Sequence, residues 1–249
     1  MTLSAIDENG NPVDWWFAYK IPKLGQDTRA SSGAGYEHVY YDPNIGKVDK
    51  SPQLSNNKDA LDFTLSFIFD SPADTTGWII YNGEMPVSIE DKNEAGLEHI
   101  KGVIAFDTES KTAFWLLHFC PKCENRKSDV MPVPAYGQTV LCISLDMETA
   151  GKIIEQISNH QEPQVYLPSI AAILGKNDEF CLFAQRLNLT VPQDSEVLDC
   201  LSRGGLNFKV IAKKHKWGKE FWFDLMGEAV DINKETWGKR SLADSRRHL

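Results

Sequence analysis

The sequence lacks any apolar run long enough to span a bilayer as a helix. Such a helix needs about 20 consecutive apolar residues, and the runs in this 249-residue chain are far shorter. The N-terminus also lacks the basic start and apolar core of a signal peptide. The sequence as given therefore predicts a cytoplasmic protein without membrane contact. A lysosomal or secreted location would require a signal that has been removed.

Cysteine is scarce, with five residues in the chain. An odd number leaves at least one thiol free or bonded to another chain. Only Cys120 and Cys123 are close in sequence, and this Cys-Pro-x-Cys pair is half of a zinc ribbon. A complete zinc site would also need His118 and Cys142, whereas the alternative interpretation is two exposed thiols on a loop. One such pair is a weak sign of metal, so the sequence assigns no metal or cofactor.

The chain has fewer basic than acidic residues, and its net charge is −9. Residues 201–249 carry a local +5, whereas the remainder carries −14. This balance disfavours loose DNA binding at neutral pH, although a local basic groove remains compatible with it. The basic run 213–219 offers Lys213 and Lys216 as contacts for a phosphate backbone. The alternative is a solvated approach to a helix.

What the sequence does contain is a mixture of strand and helix patterns. Helices are predicted from Asp59 to Phe69, from Asp146 to Ile157 and from Ser195 to Ser202. Asp59 is the predicted N-cap of the first helix, and Asp146 or Thr149 that of the second. Strands are predicted over residues 13–21, 37–41, 78–81, 138–145 and 207–212. Mixed elements of this kind predict an α/β sandwich. Residues 158–168, with two prolines, read as a connector, so the predicted units are 1–157 and 158–249.

A β-hairpin is predicted where two apolar runs flank the polar turn 108–111. The first run starts with His99 and Lys101, and residues two apart on a strand point to the same face. An imidazole beside an ammonium suits phosphodiester chemistry, because it supplies a nitrogen nucleophile or proton carrier and a fixed positive charge. The alternative is a solvated strand end with a stray histidine.

Several stretches in register resemble the deoxyribonuclease II family. They are residues 7–22 (DENGNPVDWWFAYKIP), 81–86 (YNGEMP), 99–102 (HIKG) with its hairpin as far as 118, 136–142 (YGQTVLC) and, more weakly, 212–237. Their order and spacing match the family, and together they cover nearly the whole chain.

The resemblance implies a phospholipase D-like fold of two related halves, each bringing one His-x-Lys pair to a shared site. It implies an acid endonuclease that cuts DNA without a metal or cofactor. One histidine attacks phosphorus to form a phosphohistidine, and the other protonates the departing 5′-oxygen and then activates water. The product keeps a 3′-phosphate. Physically, this is covalent catalysis combined with general acid–base catalysis.

His99 and Lys101 fall on the first motif of the family, but a second His-x-Lys motif is absent from this sequence. The other histidines are His38, His118, His160, His215 and His248. The expected fold is therefore a complete first half and a partial second half. A homodimer is one source of a second histidine; otherwise the lone chain is an incomplete nuclease or a non-catalytic DNA-binding or zinc-stabilised protein.

Three further residues are predicted from the same comparison and from their positions. His118 matches a histidine of the family and either positions the phosphate or His99, or is structural. Tyr19 and Lys20 end the first strand, where they would contact the substrate backbone; the alternative is a core tyrosine and a solvated lysine.

The resemblance also bears on the N-terminus. Secreted members tether theirs by a disulfide to the cysteine that matches Cys142, and here Ala5 stands at or near the partner position. That bridge cannot form, which suits a reducing compartment.

Overall fold

The computed structural model describes residues 2–22, 37–46, 48–51, 59–70, 72–82, 100–119, 136–161, 164–166 and 192–230. These residues form a mixed α/β structure with few helices and a large antiparallel sheet. No helix within the described ranges has both the length and the apolar character needed to cross a membrane.

Within the described residues, eight strands form the central sheet. They are β3 (Trp15–Lys20), β4 (His38–Tyr41), β5 (Asp49–Ser51), β6 (Thr76–Asn82), β7 (Lys101–Asp107), β8 (Thr112–His118), β9 (Gln138–Asp146) and β10 (Gln164–Tyr166). Their order across the sheet is β10-β6-β7-β8-β9-β3-β4-β5. Two small sheets accompany it: β1 (Ala5–Ile6) with β2 (Pro12–Val13), and β11 (Ser195–Leu201) with β12 (Asn207–Lys213).

The helices are short, apart from two. Helix α1 (Ala60–Phe69) and helix α2 (Met147–His160) belong to the core, and α3 (Met226–Ala229) is a single turn. A 3-10 turn (His215–Trp217) and a π-helical turn (Phe221–Leu225) precede α3.

Both faces of the sheet are covered, and strand β7 shows this most clearly because all seven of its residues are buried. Val103 and Ala105 pack in a core with α1, whereas Ile104 and Phe106 pack in a second core with α2. We refer to these sides as the α1 face and the α2 face. Strand residues therefore alternate between two apolar environments, which explains the nearly unbroken hydrophobic runs of the hairpin.

The predicted helix caps are confirmed. The Asp59 side chain accepts a hydrogen bond from the Asp62 backbone N–H at 2.8 Å at the start of α1. The Asp146 side chain accepts a hydrogen bond from the Thr149 backbone N–H at 2.6 Å at the start of α2. Helix α2 continues past Ile157 to His160. Of the predicted connector 158–168, residues 164–166 form the edge strand β10; the division into two units stays a prediction.

The helix predicted from Ser195 to Ser202 is wrong, because these residues form strand β11. Every residue of β11 pairs with β12, from Ser195 opposite Lys213 to Leu201 opposite Asn207. Gly205 takes a φ of +95° in the connecting turn, a conformation that glycine adopts readily and that closes the hairpin. The pairing with a neighbouring strand overrides a weak local helical pattern.

The hairpin β11–β12 lies on the α2 face. The Gln156 side-chain amide of α2 donates hydrogen bonds to the carbonyl oxygens of Glu196 at 3.2 Å and Val210 at 3.0 Å. Leu198 and Phe208 pack against the core on this side of the sheet. One buried amide therefore holds both strands of the hairpin against the helix.

The turn of this hairpin is attached to the N-terminal segment. Asp14 accepts hydrogen bonds from the Ser202 hydroxyl at 2.6 Å and the Gly204 backbone N–H at 2.5 Å. The Arg203 guanidinium donates to the Leu3 carbonyl oxygen at 2.6 Å. Residues nearly 200 positions apart are thereby joined, and the hairpin is fixed at both of its ends.

Hydrogen bonds hold the N-terminus where the sequence excludes a disulfide. The Ala5 backbone N–H donates to the Ser144 hydroxyl at 2.9 Å, and that hydroxyl donates to the Val13 carbonyl oxygen at 2.7 Å. Ala5 shares the core of the α1 face with Cys142, which is a free, buried thiol.

Candidate active site

A row of buried polar side chains crosses one end of the sheet on its α1 face. We call it the polar row; it consists of Asn82, Lys101, His118, Gln138, Lys20 and His38, on β6, β7, β8, β9, β3 and β4 respectively. The register aligns them, since Asn82 lies opposite Lys101, and Lys20 lies opposite both Gln138 and His38. The middle of this face is apolar, and buried polar side chains such as Asp107, Thr76 and Ser144 also lie at its opposite end. The polar row marks the sheet end at which β7 begins.

The two lysines of the polar row are the most informative members. Of the lysines and arginines whose side chains the structure describes, only Lys20 and Lys101 are buried, at 0% and 3% exposure. Burying an ammonium group is costly, and lysine is almost never fully buried unless it is paired. Both ammonium groups have partners in the fold, so this end of the sheet concentrates positive charge in a buried polar environment.

Lys101 and His118 lie side by side. The register that pairs Gly102 with Leu117 places Lys101 and His118 one step further along neighbouring strands. Burial, together with the positive charge of Lys101, lowers the pKa of His118 to about 3. His118 is therefore neutral even at the acidic pH that the family resemblance implies.

His99 lies outside the described residues, so its predicted role beside Lys101 stays a prediction. The first described residue of this segment, Ile100, packs with the core of the α2 face, whereas Lys101 is in the polar row of the α1 face. Consecutive side chains therefore point to opposite faces of the sheet already at the start of β7.

Gly102, which follows Lys101, is required by its neighbours. A Cβ atom at this position would lie 2.5 Å from the Tyr81 hydroxyl and 2.7 Å from the Leu116 carbonyl oxygen. The Tyr81 hydroxyl accepts a hydrogen bond from the Trp115 indole at 2.9 Å, and burial raises the pKa of Tyr81. Because Gly102 has no side chain, the hydrogen-bonded Tyr81 can lie directly against strand β7, which carries Lys101.

A cavity of about 160 Å³ lies next to the Lys101–His118 pair, between the sheet, α2 and β12. Its lining is mainly apolar and includes Tyr81, Ile100, Trp115, Leu117, Ile157 and Val210, together with Lys101 and His118. Ala212 also lines it, so the next residue, Lys213, is brought near this end of the sheet. Lys216 is exposed in the 3-10 turn, and the structure gives it no contact with the polar row.

The structure separates Tyr19 from Lys20. Trp16 and Ala18 pack in the core of the α1 face, so strand parity places Lys20 on that face and Tyr19 on the other. Tyr19 is 40% exposed and its hydroxyl lies close to Gly137. The alternative of a core tyrosine and a solvated lysine is therefore wrong, because the burial of the two residues is reversed.

Sequence reasoning missed three members of the polar row. Asn82, Gln138 and His38 were not singled out, although each stands two residues from an apolar core position on its strand. The available signal was a polar residue on the same face of its strand as neighbouring apolar residues, which predicts that it is buried. His38 is fully buried, and its Nε2 lies 2.8 Å from a carboxylate oxygen of Glu8.

The alternative zinc site stays a prediction. Cys120 and Cys123 lie outside the described residues, and His118 and Cys142 lie on neighbouring strands of the α1 face. Burial raises the pKa of the Cys142 thiol well above its usual value, which opposes formation of the thiolate that binds zinc. Within the described ranges, no group of three or more potential ligands is assembled.

Comparison with known proteins matches this chain to one family. The profile of deoxyribonuclease II matches residues 4–246. A Burkholderia pseudomallei protein named "Putative deoxyribonuclease-2" is 53% identical over 240 residues, which cover 95% of this chain and 68% of that protein.

More distant relatives carry related names. Cell death-related nuclease 6 of Caenorhabditis elegans is 32% identical, over 94% of this chain and 63% of its own length. Deoxyribonuclease-2-alpha of Mus musculus is 27% identical, over 93% of this chain and 66% of its own length. The match to the profile spans nearly the whole chain, and the chain belongs to the deoxyribonuclease II family.

Proposed function

We propose that this chain carries a half-site, His99 and Lys101, for metal-independent hydrolysis of DNA phosphodiesters. The observation that supports it best is the burial of Lys101 beside a neutral His118, at the sheet end that the His99 segment enters. A desolvated ammonium provides a fixed positive charge for the phosphoryl oxygens, and its effect is stronger in a site from which water is excluded.

His99 acts as the nucleophile or as the acid–base partner. As nucleophile, an imidazole nitrogen forms a bond to phosphorus while the bond from phosphorus to the 5′-oxygen breaks. A second histidine supplies the proton that the departing oxygen takes up. Water then attacks the phosphohistidine and gives its proton back to that second histidine, which leaves a 3′-phosphate on the DNA and restores both imidazoles.

His118 positions the reacting groups in this scheme. Because its pKa is about 3, its ring is neutral at pH 5, so it adds no positive charge and is a poor proton donor. A neutral imidazole still donates and accepts hydrogen bonds. We therefore assign His118 to orienting Lys101 or a phosphoryl oxygen, and not to the protonation of the leaving group.

The fold supports the proposal at the level of architecture. We assign strands β3 to β9 of the sheet, with α1 and α2, to the first phospholipase D-like half. The edge strand β10 and the hairpin β11–β12 follow residue 157 and are assigned to the connector and the second half. Residues 1–249 hold one His-x-Lys motif, so turnover requires a second histidine, either from sequence outside these residues or from another copy of the chain. Without that histidine, the chain is a half-site that binds DNA.

Plasmid nicking at about pH 5 in excess EDTA tests the proposal. The parent chain is compared with His99→Ala and Lys101→Met, and with Lys111→Met as a matched control. Lys111 is exposed and lies in the turn at the opposite end of the β7–β8 hairpin. We expect His99→Ala to abolish nicking and Lys101→Met to lower it by at least about 10²-fold, as for the loss of one transition-state charge contact.

Four results would contradict parts of this scheme. Nicking that EDTA abolishes would replace the metal-free mechanism by a metal-dependent one. Nicking that survives His99→Ala would place the chemistry elsewhere. A folded parent chain that binds DNA but never nicks it would mean that the half-site binds DNA without catalysing hydrolysis. Stoichiometric bound zinc, whose removal unfolds the chain, would favour the zinc-stabilised alternative.

A further inference from the structure

The proposed half-site leaves the cavity beside it without a role. Lys101 and His118 line this cavity of about 160 Å³, and the rest of its lining is mainly apolar, from β6, β8, α2 and β12. An apolar cavity of about 150 Å³ is large enough to bind one benzene ring. The space next to the half-site therefore suits a single six-membered ring.

Two buried aromatic side chains form a fixed part of the lining. Tyr81 and Trp115 both line the cavity, at 1% and 6% exposure. The Trp115 indole N–H donates a hydrogen bond to the Tyr81 hydroxyl at 2.9 Å, so each ring holds the other in place. Rings that are fixed before a ligand arrives lose little conformational freedom on binding. Aromatic side chains of this kind stack with nucleobases, because every base has a π-face.

The rim of the cavity carries one exposed ring and one side-chain amide. Phe119, which follows β8, lines the cavity and is 56% exposed. Gln161, the C-cap residue of α2, also lines it and is half-buried. A glutamine amide has both a donor and an acceptor, so it can pair with the neighbouring donor and acceptor on the edge of thymine or cytosine. Apolar contact inside and polar contact at the rim together match a pyrimidine base.

A nucleotide joins the two groups that this site can bind. Its sugar carries both a phosphate and a base, so a phosphate in contact with Lys101 brings a base close to the cavity that Lys101 also lines. A purine has two fused rings, which exceed the space for one ring. A base can enter only after it has left its stack, which is easiest in single-stranded or unpaired DNA.

We propose that the cavity is a nucleobase subsite, which binds a pyrimidine of the DNA strand next to the phosphate held at Lys101. This inference rests on the proposed function, because Lys101 supplies the phosphate contact. Contacts with phosphate carry no sequence information by themselves. The cavity would therefore give the half-site a preference for pyrimidines that Lys101 alone cannot provide.

Three single-stranded hexamers with equal numbers of phosphates test the subsite. They are hexathymidylate, hexadeoxyadenylate and a hexamer of abasic sugars, and all proteins carry His99→Ala so that nothing is cleaved. Isothermal titration calorimetry at about pH 5 and low salt measures their affinities, under conditions in which charges are weakly screened. We expect hexathymidylate to bind about tenfold more tightly than the abasic hexamer, as for the stacking of one base on aromatic side chains. Hexadeoxyadenylate should bind more weakly than hexathymidylate.

Val210→Phe and Val197→Phe are a matched pair of variants on the two strands of one hairpin. Val210 lines the cavity and packs against the core of the α2 face, whereas Val197 is exposed. A phenyl ring at position 210 occupies the space proposed for the base. Val210→Phe should therefore lower the affinity for hexathymidylate to that for the abasic hexamer, which stays unchanged. Val197→Phe should change none of the three affinities, and melting temperatures check that both variants fold.

Phe119→Ala provides a second test that does not disturb the core. Because Phe119 is exposed, its truncation should leave the melting temperature unchanged. We expect it to weaken hexathymidylate by about fivefold, through the loss of one stacking surface, and to leave the abasic hexamer unaffected. This variant decides the question if Val210→Phe does not fold.

Lys101→Met separates this inference from the function on which it rests. It removes the phosphate contact and should weaken all three hexamers. If it changes none of them, the proposed half-site fails. If it weakens all three while Val210→Phe and Phe119→Ala change none, the half-site stands and the cavity is not a nucleobase subsite. An equal loss for all three hexamers in Val210→Phe, or equal affinities of the parent for hexathymidylate and the abasic hexamer, would also overturn the subsite.

Discussion

At the scale of single residues, His118 makes the stability of this protein depend on pH. Its pKa is lowered from an ordinary histidine value of 6.5 to about 3 in the folded chain, first by burial and then by Lys101. Between these two values the unfolded chain binds more protons than the folded chain. The contribution of His118 is therefore complete above pH 6.5 and is lost progressively as the pH falls towards 3.

The first prediction follows from that sign. Between pH 6 and 4, His118 should make the free energy of unfolding fall by about 1.4 kcal/mol per pH unit. His118→Gln should remove this contribution and so give a smaller slope. Urea unfolding at several pH values measures both slopes, and His215→Gln, at an exposed position, controls for the loss of a histidine as such. Equal slopes in parent and His118→Gln would mean that His118 titrates normally in the fold.

At the scale of elements, the hairpin β11–β12 depends on a few polar contacts with the rest of the protein. The Asp14 carboxylate accepts two of them, from the turn at Ser202 and Gly204. A side chain on Gly204 would collide with Asp14, so the turn approaches this carboxylate as closely as the backbone allows. The hairpin is therefore held at its turn by Asp14 and along its length by Gln156 of α2.

Removing the Asp14 carboxylate should loosen this hairpin selectively. We expect Asp14→Ala to lower the free energy of unfolding by about 1 to 3 kcal/mol, because it leaves a hydroxyl and an N–H without their acceptor. Hydrogen exchange should accelerate at β11 and β12 but not at β7 and β8. The control is Asp199→Ala, which removes an exposed ion pair with Lys209 and should cost less than about 0.5 kcal/mol. Uniform acceleration across both sheets would show that the hairpin does not open on its own.

The same hairpin shows where prediction from sequence succeeds and where it fails. The caps Asp59 and Asp146 were predicted correctly, because a cap is a contact between residues three positions apart. Strand β11 was predicted as a helix, because the partner strand that makes it extended is a contact that the local sequence does not report.

The candidate site likewise contains residues that the sequence predicts and features that it does not. Lys101 and His118 were predicted from a motif and a resemblance, and the structure places them on adjacent strands. That Lys20 is buried, and joined by His38, depends on which face of β3 meets α1. Lys20 has the strand parity of the apolar Trp16 and Ala18, and Tyr19 has that of the equally apolar Trp15 and Phe17. The local pattern therefore does not decide which of the two residues is buried.

At the scale of the whole molecule, the acidic charge opposes the proposed substrate at neutral pH. The chain carries a net −9 with its six histidines neutral. Lowering the pH to 5 protonates ordinary histidines and begins to protonate glutamates, so the chain becomes much less negative. His118 does not take part in this change, because its pKa of about 3 keeps it neutral.

DNA binding should therefore strengthen on acidification through the charge of the whole molecule. We expect the affinity of the His99→Ala chain for hexathymidylate to rise by about tenfold from pH 7 to pH 5 at low salt. The difference should shrink at about 0.5 M salt, because added ions screen charges more than a few ångströms apart. Introducing His118→Gln should leave the ratio of the two affinities unchanged. An affinity that is equal at both pH values, or a ratio that persists at high salt, would instead assign the pH dependence to a titrating group in contact with the DNA.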